Sequence, residues 1–316
     1  MILGLLSQGL QMLLVVALAP ALVGLTRKVK SRLTRRRGAP IQQPYRDILR
    51  LLRKETVVAE NASWLFRAAP YLIFAATWVA AALVPTFALK LQFSWAADVI
   101  AIVALLGSAR FFLALAGLDI GTSFGGIGSS REMMFATMAE PAMLLTVFSV
   151  ALVAGSTELS YVAERLSAPE VGLRVSLGLA LVALVIVALA ENARIPVDNP
   201  ATHLELTMVH EAMVLEYSGR HLAMIELAAA LKLLLYISLI AALFLPWGIA
   251  APGSGLAAHA LGILYYLAKL ACGGVALAVF ETSIAKMRVF RVPDFLGAAL
   301  MLSLLGTLLL FVSRSL

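Results

Sequence analysis

Six charged side chains lie inside the most apolar segments of this 316-residue chain: Arg110, Lys232, Lys269, Glu132, Glu140 and Glu226. A charge at the centre of a bilayer costs at least about 2.5–3.5 kcal/mol unless it is paired or hydrated. We therefore predict that these residues face the interior of a helix bundle and form a buried polar chain or a water-filled path. Buried Lys and Glu change protonation state when a neighbouring charge changes, as a proton relay requires. The alternative is a set of static ion pairs between helices.

The rest of the chain has the composition of a membrane protein. It is 61% apolar and 14% charged, with a mean hydropathy of +0.94. Soluble domains are about 45–50% apolar and about 25% charged. The long unbroken apolar runs also exclude a transmembrane β-barrel, whose strands alternate. We predict an all-α polytopic integral membrane protein, one membrane domain over 1–316, with eight transmembrane helices at about 2–25, 68–89, 96–118, 132–154, 173–190, 222–245, 256–280 and 295–312.

The distribution of Lys and Arg predicts the orientation of these helices. Eighteen basic residues fall in the loops on one side of the predicted membrane and four on the other. Because basic loops stay in the cytoplasm, both termini are predicted to lie outside, in a multi-pass protein of the cytoplasmic (inner) membrane. The large cytoplasmic loops follow helices 1 and 5, a basic one at 26–67 and an acidic one at 191–221. The net charge of +7 is thus a topology signal and does not indicate nucleic-acid binding.

The basic loop contains a helical pattern from Pro44 to Glu55. Its apolar side chains fall on one face and its basic ones on another, which predicts a short helix on the membrane surface or under a partner protein. A solvated basic loop that only determines topology is the alternative. The apolar positions are Tyr45, Ile48, Leu49 and Leu52.

The acidic loop is interrupted by Pro196 and Pro200 just after a predicted membrane helix. From about 203 to 217 the chain can return to helix, and there Glu205 and Glu216 would share one face with Val209 and Ala212. Two carboxylates would then line one surface beneath the membrane. Negative charge on the side that normally carries positive charge favours a functional role for this loop.

No cofactor, metal or catalytic site of its own is predicted for this chain. Its one cysteine, Cys272, excludes an internal disulfide and a thiolate metal or iron–sulfur site. His203 and His210 are seven apart and have few other ligands near them in the sequence. A glycine-rich stretch is predicted to be a flexible loop, because no strand precedes it as a phosphate-binding motif requires; its glycines are Gly121, Gly125, Gly126 and Gly128.

The acidic loop also resembles a known family. Its motif resembles the signature loop of the complex I subunit 1 family, the eight-helix subunit that joins the hydrophilic and membrane arms: Glu191-x-x-Arg194-x-Pro196-x-Asp198-x-Pro200, then Glu205-Leu206 and Glu216-Tyr217-Ser218-Gly219. Further matches are Arg37-Gly38, Gln43-Pro44, Asp47 and Lys54-Glu55 in the basic loop, the spacing of nine between Arg131 and Glu140, and Lys269.

The departures from the respiratory members point to one branch of that family. Those members carry more acid after the second proline, an arginine at the position of Glu281, and fewer residues between Leu206 and Glu216. The segments PVDNPATHLELTMVHEAMVLEYSG and ETSIAKMRVFRVP instead resemble the homologous subunit of membrane-bound nickel–iron hydrogenases related to complex I, of the formate hydrogenlyase and hydrogenase-four types. This counts against a quinone, which the hydrogenase relatives generally do not use.

The resemblance implies a membrane-anchoring, ion-coupling subunit of an energy-converting oxidoreductase complex, without a reaction of its own. Iron–sulfur clusters and a nickel–iron centre are expected in hydrophilic, hydrogenase-like partners, and antiporter-like subunits beside it in the bilayer. The resemblance implies an ion-coupling path formed by Glu140, Glu191, Glu226, Lys232, Lys269 and Glu132. Further carboxylates of the acidic loop would take part, namely Asp198, Glu205, Glu211 and Glu216. The hydrophilic arm would dock on Arg37, Arg46 and Arg194.

Two alternatives to this function remain open at the level of the sequence. One is a subunit of complex I proper that binds quinone. The other is a stand-alone secondary transporter, a class that usually shows inverted repeats with broken helices. No convincing internal repeat is visible in the sequence.

Overall fold

The computed structural model describes residues 2–167, 174–198 and 208–315. Within these ranges the chain is helical and forms no β-strand, which confirms the predicted all-α class. The helices are α1 (Ile2–Leu33), α2 (Gln43–Arg53), α3 (Trp64–Leu83), α4 (Val99–Asp119), α5 (Ser123–Ala154), α6 (Leu159–Ser167), α7 (Val175–Glu191), α8 (His210–Val214), α9 (Gly219–Phe244), α10 (Leu256–Ser283) and α11 (Val292–Ser315).

The membrane-spanning helices follow the predicted apolar runs. Seven helices of the described ranges are long and apolar enough to cross a bilayer, namely α1, α3, α4, α5, α9, α10 and α11. The predicted fifth span is α7, an apolar helix of 17 residues. It rises about 25 Å, a little less than the thickness of a hydrocarbon core. The protein is a multi-pass membrane protein.

The connections between these helices collect at two ends of the bundle. At one end the Asn61 side chain donates to the Ile120 carbonyl (2.7 Å), which joins the first and third loops. At the other end the Leu89 N–H donates to the Ala250 carbonyl (3.0 Å), which joins the second and sixth. Successive loops therefore alternate between ends. We call the end that carries the basic loop the basic end; that it faces the cytoplasm is a prediction from its charge.

Exposed tryptophans lie at both ends. Trp64 begins α3 at the basic end, and Trp95 and Trp247 lie in loops at the opposite end; all three are well exposed. Tryptophan is enriched where a membrane protein meets the lipid headgroups. These three positions are therefore consistent with bilayer boundaries at the two ends of the bundle.

Helix α9 is the centre of the bundle, and α10 is at its edge. Within the most apolar 18-residue stretch of each helix, 67% of the residues of α9 are buried, but only 22% of those of α10. The α9 leucines Leu231, Leu234 and Leu239 are completely covered. Helices α1, α2 and α3 pack against α9, α5 packs with α7 and α11, and α10 packs mainly on α1. The core is thus built around one helix.

Helix α1 extends two turns beyond the predicted span 2–25, to Leu33. Lys and Arg are good helix formers, and the basic residues in its last turn, Lys30 and Arg32, interact favourably with the C-terminal end of the helix dipole. The basic segment is therefore partly an extension of the first membrane helix.

Helix α2 confirms the short helix predicted at Pro44–Glu55, and excludes the fully solvated loop. Its predicted apolar face is divided between two environments. The Tyr45 hydroxyl donates to the Ala17 carbonyl of α1 and Ile48 is half-buried, whereas Leu49 and Leu52 are exposed.

The prediction of a glycine-rich loop was wrong for three of its four glycines; only Gly121 lies in the connection between α4 and α5. Residues 123–131 form the first turns of α5, whose start is capped by Thr122, with its side chain accepting from the Gly125 N–H (3.2 Å). A Cβ at Gly125 would lie 2.2 Å from the Gly117 carbonyl oxygen of α4. Gly125 thus serves the close packing of α5 on α4, whereas Gly128 faces Val209 and Ala212.

The prediction of a helix at about 203–217 was also wrong in the part that the structure describes, where only α8 (His210–Val214) is helical. Val209 and Ala212 are buried, while Glu216 is exposed, so they do not share a face. The chain must turn into α9 at Gly219, which has φ +53° and would place a Cβ 2.6 Å from the Glu55 carbonyl oxygen. Glu205 lies outside the described residues.

Candidate functional site

Five charged side chains meet between the membrane helices, and we call them the central cluster: Arg110, Glu132, Glu140, Glu191 and Lys232. The Arg110 guanidinium of α4 is at its centre. Its Nη1 lies 3.0 Å from Glu140 Oε1, its Nε 3.5 Å from Glu132 Oε1, and its Nη2 contacts Glu191 Oε1. Lys232 Nζ of α9 lies 3.6 Å from Glu191 Oε2. Four helices thus converge on one set of charges.

The central cluster satisfies the electrostatic condition for charges in a membrane interior. The side chains of Arg110 and Glu191 are only 6% and 5% exposed. Burying either alone would cost several kcal/mol, and pairing offsets this cost. Three carboxylates face two cations, so one carboxylate exceeds the available positive charge.

A cavity of about 990 Å³ lies at the basic end. Its walls come from α1, α2, the segment after α7, α8, α9 and the end of α10. Glu191 and Lys232 of the central cluster line its inner wall. The central cluster therefore opens into this cavity on one side.

The opposite side of the central cluster reaches the surface of the bundle. The Glu140 side chain is 45% exposed although it belongs to the membrane helix α5. The chain of charges from cavity to surface runs Glu191, Arg110, Glu140, and each neighbouring pair is in contact. It crosses from the centre of the protein to its lateral face.

Two further groups of ion pairs line the cavity and hold the segment that follows α7. Glu281 at the end of α10 pairs with Lys30 of α1 (2.9 Å) and Arg194 (3.4 Å). Lys286 pairs with Asp198 (2.9 Å). Burial lowers the pKa of the Arg194 guanidinium, and the nearby Glu281 opposes this shift. The motif segment 191–198 is thus fastened to the end of α10, where Glu281 also holds Lys30 of α1, and to the chain after α10.

His210 lies in the cavity wall at the start of α8. Burial lowers the pKa of its imidazole, and the positive charge of Lys232 lowers it further, against the opposing effect of Glu132 and Asp198. A neutral imidazole can both accept and donate a proton. His210 therefore connects the central cluster with Asp198 electrostatically.

Four of the six residues predicted for the ion-coupling path lie together in the central cluster: Glu132, Glu140, Glu191 and Lys232. Glu226 instead lines the cavity, on α9 toward the basic end. Lys269 is half-buried on α10 and takes part in none of the ion pairs found among the described residues.

The other predicted residues are distributed around the basic end. Glu211 lines the cavity, and Glu216 is exposed. Arg37 and Arg46 are also exposed, as docking residues must be. Arg194 differs from them, because its side chain is turned inward to Glu281.

Four contributors to the site were not assigned from the sequence. Arg110 was recognised as a buried charge but not placed in the path, although a lone arginine in an apolar helix was the available signal. Glu281 was noticed only as a departure from respiratory relatives. Lys30 carried no signal, and Lys286 was visible only as part of the segment ETSIAKMRVFRVP; the fold brings them to Glu281 and Asp198.

Residues 7–312 match the family described as NADH dehydrogenase, and the chain belongs to that family. Formate hydrogenlyase subunit 4 of Escherichia coli (strain K12) is 33% identical over 286 residues, 90% of this chain and 91% of that protein. Hydrogenase-4 component C of the same strain is 33% identical over 278 residues, 88% of this chain and 87% of that protein.

Respiratory relatives match at greater distance. NADH-quinone oxidoreductase subunit 8 of Rhodothermus marinus is 30% identical over 239 residues, 72% of this chain and 68% of that protein. These similarities confirm the assignment made from the motif residues, to the complex I subunit 1 family with likeness to its hydrogenase branch.

A solved structure shares the fold. A chain of the membrane-bound sulfane sulfur reductase, an archaeal respiratory membrane complex, superposes with a TM-score of 0.79 at 19% identity. The match covers 96% of this chain and 99% of that one. The helical arrangement is therefore shared along nearly the whole length.

Proposed function

We propose that this protein is a membrane-anchoring and ion-coupling subunit of an energy-converting oxidoreductase complex of the cytoplasmic membrane, of the hydrogenase type. It would link electron transfer in a hydrophilic partner arm to translocation of H⁺ or Na⁺. The similarity to membrane subunits of formate hydrogenlyase and hydrogenase-4 supports the class of complex.

One structural observation carries the coupling role: the continuous line of charges from the cavity to the lateral surface. Glu191 faces the cavity, Arg110 is buried, and Glu140 is exposed on the far side. A negative charge that arrives near the basic end favours protonation or inward movement of the groups that line the cavity. Because Arg110 is shared among three carboxylates, a proton that neutralises Glu191 frees the guanidinium for Glu140 and Glu132. The charge change is thereby passed across the membrane domain.

The partner arm would bind at the basic end. Arg37 and Arg46 are exposed there, next to the exposed Leu49 and Leu52 of α2. A mixed basic and apolar surface of this kind suits a protein partner with an acidic rim. Arg194 would act from inside the cavity, by holding Glu281.

The redox groups would belong to partners. We propose that iron–sulfur clusters and a nickel–iron centre lie in the hydrophilic arm, with antiporter-like subunits beside this chain in the bilayer. The cavity lining counts against a quinone, since ligand pockets are mostly apolar and here every wall contributes at least one charged side chain. These side chains are Arg27, Lys30, Arg36, Asp47, Arg50, Glu191, Arg194, Asp198, Glu211, Glu226, Lys232 and Glu281.

The experiment compares electron transfer with ion movement in the intact complex. We expect Glu140→Gln to leave the subunit composition after mild detergent extraction unchanged. It should lower the ion gradient formed per electron in membrane vesicles, because an amide cannot take up and release the proton that a carboxylate can. The matched control is Glu60→Gln, an exposed carboxylate in the loop at the basic end, which should behave as wild type.

Two results would overturn the proposal. One is a normal gradient per electron in Glu140→Gln and Glu191→Gln, which would make the central cluster a set of static pairs. The other is gentle purification of a lone protein that transports a solute in liposomes, which is the behaviour of a secondary transporter.

A further inference from the structure

Helix α10 carries a charge that the described part of the chain does not neutralise. Lys269 lies midway along the helix, about 20 Å from either end. A lysine near a helix end can extend its ammonium to the headgroups, but this position is too deep. Only 22% of the residues in the most apolar stretch of α10 are buried, which is the smallest share among the seven long membrane helices.

The surroundings of Lys269 contrast with those of Lys232. Lys232 faces Glu191 and lines the cavity. Lys269 is half-exposed and does not line the cavity, and its ammonium has no ion pair or hydrogen bond within the described ranges. An ammonium in lipid costs at least about 2.5–3.5 kcal/mol. This cost is removed if a counter-charge comes from outside the chain.

The helix surface beside Lys269 is shaped for close approach of another helix. Ala268, Cys272 and Ala276 follow one another at intervals of four and are all exposed. Small residues at this spacing let two membrane helices approach closely. The parallel ridge on the other flank of Lys269 is buried instead, and there Gly274 packs on Leu22 of α1. Lys269 thus lies at the border between a covered and an uncovered face.

We propose that the face formed by Ala268, Lys269, Cys272 and Ala276 binds a transmembrane helix of another membrane subunit, which places an Asp or Glu against Lys269. The proposal rests on the proposed function, because it requires a complex with other membrane subunits. A carboxylate is the group that neutralises an ammonium and accepts its hydrogen bonds. A second copy of α10 would not provide one, since its only acid, Glu281, is buried and already paired.

The test uses Cys272, the one cysteine of the chain, as a probe within the ridge. A thiol-specific photo-crosslinker on Cys272 is activated in membranes that hold the assembled complex, and the adduct is mapped by mass spectrometry, with Cys272→Ser as the blank. We expect one adduct with a transmembrane segment of another subunit, about one or two helical turns from an Asp or Glu.

Charge exchange gives the second measurement. Lys269→Glu should lower recovery of that subunit in the purified complex at least about tenfold, which corresponds to about 1.4 kcal/mol. Lys269→Arg is the matched control and should retain it. Replacement of the partner carboxylate by Lys in the Lys269→Glu background should restore recovery.

The outcomes separate the two proposals. If partner subunits co-purify while Cys272 gives only lipid adducts, or adducts with a second copy, and Lys269→Glu assembles normally, the docking face is refuted and the proposed function stands. If no subunit co-purifies with the unmodified protein, both are refuted.

Discussion

Helices α9 and α10 each carry one lysine in the middle of a membrane span, and the two lysines have opposite environments. Lys232 of α9 faces Glu191 within the bundle, where most of the helix is buried. Lys269 of α10 is at the edge, without a counter-charge in the described part of the chain. The same residue type therefore has two different needs. One lysine is neutralised by this protein, and the other requires something outside it.

The central cluster and Lys269 are also expected to serve different purposes, the first in ion coupling and the second in assembly. The charges of the central cluster come from four helices and are paired with one another. Two of them, Glu191 and Lys232, also line the cavity at the basic end. The charge on α10 lies apart from them. Changes in the central cluster should consequently alter the stability and coupling of this chain, whereas changes at Lys269 should alter what it binds.

The largest effect is expected at Arg110. Arg110→Leu leaves three carboxylates without their shared cation and should lower the free energy of unfolding by about 3–5 kcal/mol, the usual cost of one partner lost from a buried ion pair. Thermal unfolding in detergent measures this. Arg110→Lys should recover only part of the loss, because an ammonium cannot bind three carboxylates in a planar fork.

The two lysines provide the direct test of the comparison. Lys232→Met should destabilise the isolated protein by about 1–3 kcal/mol, because Glu191 loses a charged partner, whereas Lys269→Met should not destabilise it. Unfolding of both variants in the same detergent decides this. Equal losses of unfolding free energy in the two variants would mean that Lys269 also has a counter-charge within the chain. The proposed difference between the two lysines would then be refuted.

A smaller effect is expected for the ion pairs of the cavity. Glu281→Gln leaves Lys30 and Arg194 close together without their carboxylate. Since Lys30 is partly exposed, the loss should be only about 1 kcal/mol. Limited proteolysis after residue 191 should nevertheless become faster, because Glu281 helps to fasten that segment. Unchanged cleavage would show that Lys286 and Asp198 hold it alone.

The smallest effect is a pH dependence at His210. Its pKa is lowered from 6.5 in the folded protein, so the unfolded chain binds the proton more readily and stability falls as pH decreases below about 6.5. The contribution is fully present above that pH and is lost toward the folded pKa. His210→Asn should flatten the melting temperature between pH 7.5 and 5.5. A slope unchanged by this substitution would assign the dependence to other groups.

Much of the fold followed from hydropathy, because a membrane helix must satisfy its backbone hydrogen bonds internally and be apolar along its length. The eight predicted runs correspond to α1, α3, α4, α5, α7, α9, α10 and α11. The prediction failed where local composition conflicted with packing. Residues 123–131 were expected to be a loop from their glycines, yet Gly125 serves the contact with Gly117.

The candidate site was predictable only in part. The motif residues and the buried charges were visible in the sequence, and four of the six path residues do meet. Which of them pair was not visible, because Arg110, Glu140 and Glu191 come from three different helices far apart in the chain. Lys30 carried no signal, and Lys286 was visible only as part of the segment ETSIAKMRVFRVP.

The sequence by itself determined that this is a helical membrane protein of the complex I subunit 1 family, because hydrophobicity and a long motif are properties of consecutive residues. Only the tertiary structure decided which charges are neutralised within the chain. Neutralisation depends on distances of a few ångströms between residues remote in sequence. For this reason Lys232 and Lys269, which both lie within apolar segments of the sequence, have different electrostatic environments in the folded protein.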